Sequence, residues 1–456
     1  MKRILIALAF IASLQVGYAP PPMGGGAPRG GAPRGGAPAG NAAAARVTAA
    51  LEAAQKDAAN AKKATKLATW TKLGEAYMAA YTASMGDGWR GASQQDLALV
   101  LRNLRPVSTE EVTVNGETFT KNAYPAFNYY LDGAGTLVAV ESTNPVVPDA
   151  LAKALEAYTK AASLDPKGSK TKDIKAAMQT ICDDYADEAY GFYTIGNMAK
   201  AYDAFKKAAE ASTTAPLSTP DGEMFYSAGF TALETGAYND ALSMFQKCVD
   251  FEYFRDGEVY AKMGDAYGKL GNKALMKSTL EDAFQKFPES EGILVSLINY
   301  YLEENSDPNK LFELIAAAKA KDPKNASLYY VEGNINKELG NIEEAAKCYT
   351  ESSTVDPNYE FGYIGAGVLY YDYAVELQEK AQEELDDAKY AALVEQFESA
   401  LKSCIDPFEK AFNVTKDDEL KVSIAEYLKN ACFRFRDQAE FQAKYDKYNQ
   451  YYTENL

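Results

Sequence analysis

Few side chains in this sequence are suited to catalysis, and their types and spacing decide which reactions are open to it. Histidine is absent from all 456 residues, which removes the commonest general base, the usual zinc ligand and every Ser-His or Cys-His nucleophile pair. Acidic pairs remain, such as Glu303 with Glu304 and Asp386 with Asp387. Side chains one position apart on a helix do not converge on a substrate, so a solvated helix face is favoured over the two carboxylates of a glycosidase. We expect no catalytic residue, no metal site and no cofactor.

The cysteines are the other candidates for nucleophiles or metal ligands. They lie on predicted helices without any C-x-x-C spacing. Packing is therefore the favoured role for the whole set. Disulfides would be permitted in an exported protein, and the sequence gives no pairing. The five positions are Cys182, Cys248, Cys348, Cys404 and Cys432.

Charge narrows the class of partner. The formal net charge is −17, and a chain this acidic is not drawn to nucleic acid or to an anionic membrane surface by bulk electrostatics. We therefore expect neither nucleic acid nor a lipid surface as a partner.

The N-terminus has the layout of an export signal. Two basic residues precede an apolar run from Ile4 to Leu14, and small residues follow up to Ala19. This order predicts a secretory signal peptide over residues 1–19. No later apolar run is long enough to span a bilayer, so the expected location is periplasmic or secreted. Residues 20–45, with their near-repeats of GGAPR, predict a disordered tether.

The elements that would position any site repeat along the chain with a period of about 34 residues. The stretch from Ala326 to Tyr359 shows the unit best. Its first helix places Tyr329 and Gly333 on one face and ends at Gly340, and a second helix ends at Asp356-Pro357, because proline lacks the amide that another turn would need. These residues and spacings resemble a tetratricopeptide repeat. The resemblance implies an all-α, right-handed superhelical solenoid of stacked helix pairs.

The resemblance extends over most of residues 67–455, with one interruption. Trp70, Leu73, Gly74 and Tyr77 match the first helix of a repeat, but a matching second helix appears only around Tyr158. The intervening residues carry Asn-Gly and Asp-Gly pairs between alternating apolar runs, which predict β-hairpins. The expected organisation is N-terminal helices at 46–85, an inserted β-hairpin flap at 86–147, the solenoid at 148–416 and capping helices at 417–456.

In the tetratricopeptide family the first helix of each pair lines a groove that binds extended peptides. The resemblance therefore implies a protein or peptide partner. It also leaves a structural alternative, in which the aromatic rings only fill the interior. The corresponding positions here are Tyr190, Tyr193, Tyr226, Phe230, Tyr300, Tyr330, Asn334 and Tyr371.

Three functions stay open at this point. The first is an exported, non-enzymatic scaffold or adaptor that mediates protein–protein interactions in the cell envelope. The second is an envelope glycan-binding protein, because rows of aromatic rings stack on sugars. The third, an enzyme built on carboxylates, has the least support, since the acidic pairs lie one residue apart. Accessible rings are required by the groove hypothesis and by the glycan hypothesis alike.

Overall fold

The computed structural model describes residues 41–102, 104–114, 116–304 and 308–455. The expected signal peptide and residues 20–40 of the expected tether lie outside these ranges. Residues 41–45, the last part of that tether, already belong to the first described helix. The chain divides into two compact units, residues 1–279 and 280–456.

The first unit is built from helix pairs that follow one another along the chain. The bounds are α1 Asn41–Ala59, α2 Leu67–Met85, α3 Gln94–Leu101, α4 Ala150–Ser163, α5 Thr171–Thr194, α6 Met198–Thr213, α7 Gly222–Glu234, α8 Tyr238–Asp250, α9 Glu258–Lys269 and α10 Lys273–Lys286. Apart from α3, which belongs to the inserted segment, consecutive helices from α1 to α9 pack side by side. The boundary between the units falls within α10.

The second unit continues the same arrangement. Its bounds are α11 Glu291–Glu303, α12 Pro308–Lys321, α13 Ala326–Glu338, α14 Ile342–Val355, α15 Glu360–Glu383, α16 Asp387–Ser403, α17 Ile405–Val414, α18 Asp418–Phe433 and α19 Ala439–Glu454. The α15 helix has 24 residues. The helical segment after it is divided at Cys404 into α16 and α17, both of which pack against α15.

Glycines let aromatic rings enter between the helices of a pair. A Cβ on Gly74 in α2 would lie 2.7 Å from the ring of Tyr158 in α4, so the first pair closes across the inserted segment. Gly229 makes the same space for Phe245, and Gly333 for Tyr349. The small residues thus accept a ring from the partner helix.

The inserted segment folds as one antiparallel sheet covered by a helix. Its strands are β1 Ser108–Val114, β2 Glu117–Ala123, β3 Phe127–Leu131 and β4 Leu137–Ser142, in the order β1-β2-β3-β4. Ser93 and Asp96 form a capping box that starts α3, and α3 covers a small core that contains Leu97 and Tyr129. We keep the name flap for residues 86–147.

The predicted fold class is confirmed as stacked helix pairs with a small β-containing insertion near the N-terminus. The helices carry the residue spacing of the repeat because each buries one face against both neighbours. Among the described residues, no helix combines the length and the apolar character needed to cross a bilayer.

Candidate functional site

The eight residues expected to line a groove divide into two groups by burial. Four are buried, with exposed fractions of 8% for Tyr190, 0% for Tyr226, 7% for Phe230 and 3% for Tyr330. A ring buried to this extent has no surface left for a partner. The burial of these four rings favours the structural alternative, in which they fill the interior. Four are half-buried, namely Tyr193, Tyr300, Asn334 and Tyr371.

The flap covers Tyr190 in the first unit. The guanidinium carbon of Arg90, in the flap, lies 5.3 Å from the centroid of the Tyr190 ring. Arg90 also pairs with Asp187, one turn earlier on α5, at 3.4 Å. The other side of the ring meets Phe205 edge to face, with centroids 5.0 Å apart. Tyr190 is therefore enclosed between α6 and the flap.

Buried Tyr226 is the centre of a half-buried charged network that the sequence analysis missed. Its hydroxyl donates to Glu258 at 2.5 Å, and the Arg255 guanidinium lies 4.2 Å from its ring centroid. Arg255 pairs with Glu258 at 3.2 Å and with Glu223 at 3.6 Å, and Tyr253 donates to Glu223. Burial alone lowers the pKa of Arg255, but the two carboxylates outweigh it and raise that pKa. Burial raises the pKa of Tyr226 far above its usual value.

A local departure from the repeat pattern places Arg255 in this network. Three second helices are followed by Asp-Pro, at residues 165–166, 322–323 and 356–357, whereas the loop after α8 contains no proline. Arg255 and Asp256 in that loop adopt left-handed backbone conformations with φ of 47° and 52°. The missing proline is a weak signal in the sequence for this site, because the loop after α17 also lacks proline.

Phe230 packs between two neighbours of different chemistry. The Lys262 ammonium lies 5.3 Å from its ring centroid, and the Tyr193 ring lies 6.4 Å away. Lys262 is 4% exposed, and this burial lowers its pKa. Burial also raises the pKa of Asp265, one turn further along α9. The cluster is a packed interior, which leaves only part of Tyr193 exposed.

The second unit keeps a polar surface above its buried rings. Tyr330 packs against Tyr349 with centroids 5.8 Å apart, and Tyr349 donates its hydroxyl proton to Asn334 at 2.7 Å. Further along the same helix, Lys337 pairs with Asp372 of α15 at 2.7 Å. The Tyr349 hydroxyl thus fixes the position of the Asn334 carboxamide.

The same surface continues onto α18. Tyr371 meets Tyr427 edge to face, with centroids 5.0 Å apart, and Asn430 is exposed close by, where it contacts the Tyr371 hydroxyl. The first helices of three successive pairs therefore contribute to one surface. We call it the polar strip, and its residues are Asn334, Lys337, Tyr371, Asp372 and Asn430.

The cysteines and Asp386, which the sequence offers as candidate reactive residues, have structural roles. All five cysteines are free and buried, and burial raises the pKa of Cys182, Cys248 and Cys348 to about 12 and that of Cys432 to about 11. Asp386 caps α16 by accepting from the amides of Ala388 and Lys389, each at 3.0 Å. Across the ranges that the structure describes, no three cysteine, aspartate or glutamate side chains form a group able to hold a metal ion.

Burial also weakens the glycan hypothesis. Stacking on a sugar needs the open face of an aromatic ring, and Tyr190, Tyr226, Phe230 and Tyr330 present none. What the structure retains on these helix faces is a set of carboxamides, hydroxyls and charges.

Comparisons with known proteins agree with the helical pattern. The family model described as tetratricopeptide repeat matches residues 257–285 and 326–359. No curated protein matches the chain.

Solved structures with a similar arrangement share little sequence with this chain. A TPR repeats protein from Bacteroides fragilis is 17% identical, with a TM-score of 0.25, over 59% of this chain and 98% of its own. A tetratricopeptide repeat protein from Parabacteroides merdae is 14% identical, with a TM-score of 0.34, over 54% and 98%. The human IFIT1 dimer with m7Gppp-AAAA is 13% identical, with a TM-score of 0.34, over 64% and 68%. Values this low transfer no function. The match to the family model is what identifies tetratricopeptide repeats in this chain, at residues 257–285 and 326–359.

Proposed function

We propose that this chain is an exported, non-enzymatic scaffold that binds a protein partner in the cell envelope through the polar strip of its second unit. The observation that carries the proposal is the strip itself, where half-buried Asn334 and Tyr371 lie over a layer of buried rings. The match to the tetratricopeptide repeat supports a protein-binding role for these helices.

The chemistry of the strip favours an extended peptide. A carboxamide offers one acceptor and two donors, the complement of a peptide group, and the strip has one on α13 and another on α18. The Tyr349 hydroxyl holds the Asn334 amide at 2.7 Å, so little side-chain entropy is lost when a ligand binds. The formal net charge of −17 disfavours a polyanionic partner such as nucleic acid.

Isosteric substitutions test the strip without disturbing the core. Asn334→Asp with Asn430→Asp removes both amide donors, while the new carboxylate at position 334 would still accept from Tyr349. We expect the double variant to melt like the parent chain and to bind a partner captured from the envelope about tenfold more weakly, because two hydrogen bonds are lost. Titration of the purified partner by calorimetry gives the ratio.

The matched control makes the same change in charge outside the strip. Asn358 and Asn413 are both exposed, in the turn before α15 and on α17 respectively. The double variant Asn358→Asp with Asn413→Asp should bind normally. Equal weakening in the two double variants would show a general effect of charge and would contradict the strip.

Export is tested separately. The basic, apolar and small segments in residues 1–19 predict a chain shortened at its N-terminus in the soluble envelope fraction. Fractionation followed by N-terminal sequencing checks this. Full-length chain that retains Met1 in the cytosol would refute export and would leave the binding proposal unaffected.

A further inference from the structure

The flap has one covered sheet edge and one uncovered sheet edge. The edge at β4 is closed, because Leu137 exchanges hydrogen bonds with Gly91 and Ala92 at 2.7 and 2.9 Å. Ala139 approaches α5 so closely that a Cβ on Gly191 would lie 3.2 Å from its Cα. The edge at β1 differs, since in the part of the chain that the structure describes β1 pairs with β2 alone.

The register shows which main-chain groups of β1 face outward. The pairing of Val114 with Glu117 closes the hairpin over two residues, and this turn joins the pair by a hydrogen bond. Hydrogen-bonded and non-bonded pairs alternate along an antiparallel ladder. Thr109, Glu111 and Thr113 therefore direct their amides and carbonyls away from β2.

The side chains along this edge are polar and acidic. Glu110 is neutralised by Lys121 at 2.6 Å. Glu111 lies opposite Thr120 and has no ion pair within the described residues. Thr109 bonds to Asn122 at 2.7 Å, and Thr113 to Thr118 at 3.1 Å. The uncovered edge thus presents one exposed, unneutralised carboxylate at its centre.

We propose that β1 accepts an extended, basic segment of another protein as a fifth strand of the flap. Main-chain groups of residues 109, 111 and 113 would pair with the incoming strand, as in other complexes formed by strand addition. A lysine or arginine opposite Glu111 adds a favourable cross-strand pair.

The charge pattern argues against a second copy of this chain as the occupant. In an antiparallel pair centred on the strand, the two Glu111 carboxylates would lie opposite each other, and directly opposed like charges are destabilising. The same carboxylate that blocks self-pairing therefore selects a cationic strand. This site lies in the first unit and does not depend on the polar strip.

A short peptide of alternating threonine and lysine tests the proposal on the full-length chain. We expect fluorescence anisotropy to show binding, and Glu111→Lys to weaken it at least about tenfold. The matched peptide of alternating threonine and glutamate should bind only the Glu111→Lys chain. Methylation of the lysine amides, which lie on the edge that would face Glu111, should abolish binding, because main-chain pairing with a lysine opposite Glu111 is blocked.

A second variant separates strand addition from charge attraction. Thr113→Pro removes an outward amide that the β1–β2 ladder does not use, a change that edge strands tolerate, and circular dichroism checks that the flap stays folded. Loss of binding by this variant supports strand addition. Unchanged binding of the methylated peptide, no binding to the parent chain, or self-association of the parent chain through β1 in sedimentation would each overturn the proposal.

Discussion

Replacing Tyr349 with alanine is expected to lower the free energy of unfolding of the second unit by about 3–5 kcal/mol, the usual cost of removing a large buried aromatic ring. The ring is 1% exposed and joins two successive pairs, since a Cβ on Gly333 would lie 2.6 Å from it and one on Gly365 2.5 Å. Its loss opens a cavity between α13 and α15 that the helices cannot close without shifting.

Hydrogen exchange in α13 and α15 measures this effect locally. Tyr349→Phe keeps the ring and loses the bond to Asn334, so it should cost only about 1 kcal/mol. Tyr390→Ala, at a tyrosine that is 49% exposed, should change the free energy of unfolding by less than about 0.5 kcal/mol. Equal exchange rates in all three variants would contradict the packing described here.

Replacing Tyr226 with alanine is expected to destabilise the first unit by about 3–5 kcal/mol. The ring is fully buried, and its removal also takes away the face on which Arg255 lies and the donor to Glu258. Tyr226→Phe should cost about 1.5–3 kcal/mol, because the half-buried carboxylate of Glu258 loses a hydrogen bond.

Tryptophan fluorescence during guanidinium unfolding gives these values, since both tryptophans, Trp70 and Trp89, lie in the first unit. Leu99→Ala, at a side chain that is 74% exposed, is the control. A Tyr226→Ala chain that melts normally and loses a partner would restore the groove hypothesis at this position.

The periodicity of the sequence predicts the helix pairs, because the two helices of most pairs are close neighbours in the sequence. The spacing of Gly333 and Tyr349 specifies which faces meet, and the position of Asp-Pro specifies where a second helix stops. The Asn115-Gly116 pair likewise predicted a hairpin, and Gly116 has the positive φ of 83° that such a turn requires. Asn115 itself lies outside the described residues.

Ring burial could not be predicted in the same way. The helical period places Tyr190 and Tyr226 on the same face of their respective helices, but it does not predict which residues cover that face. Arg90 reaches Tyr190 from a flap about a hundred residues earlier in the chain, and Arg255 reaches Tyr226 from a loop that departs from the repeat. The first contact depends on an insertion, which carries no period, and the second depends on the left-handed backbone conformation of a single loop.

In the polar strip, the sequence predicts individual residues but does not predict how they pair. Asn334 and Tyr371 were correctly expected on the first helices of their pairs, and the half-burial of both leaves a partner-binding role as a prediction. Lys337 and Asp372 were not expected there as a pair. Their bond at 2.7 Å joins α13 to α15, and an ion pair between residues 35 positions apart leaves no mark in the sequence of either helix.

Photo-crosslinking in intact cells tests the central claim, binding of a protein partner through the repeats, most directly. Benzoylphenylalanine at Tyr371, in the polar strip, is compared with the same group at Tyr390, which is exposed on α16. We expect the Tyr371 position to form an adduct with one envelope protein, and the Tyr390 position to form none. No protein adduct at Tyr371, or the same adducts at both positions, would contradict the account.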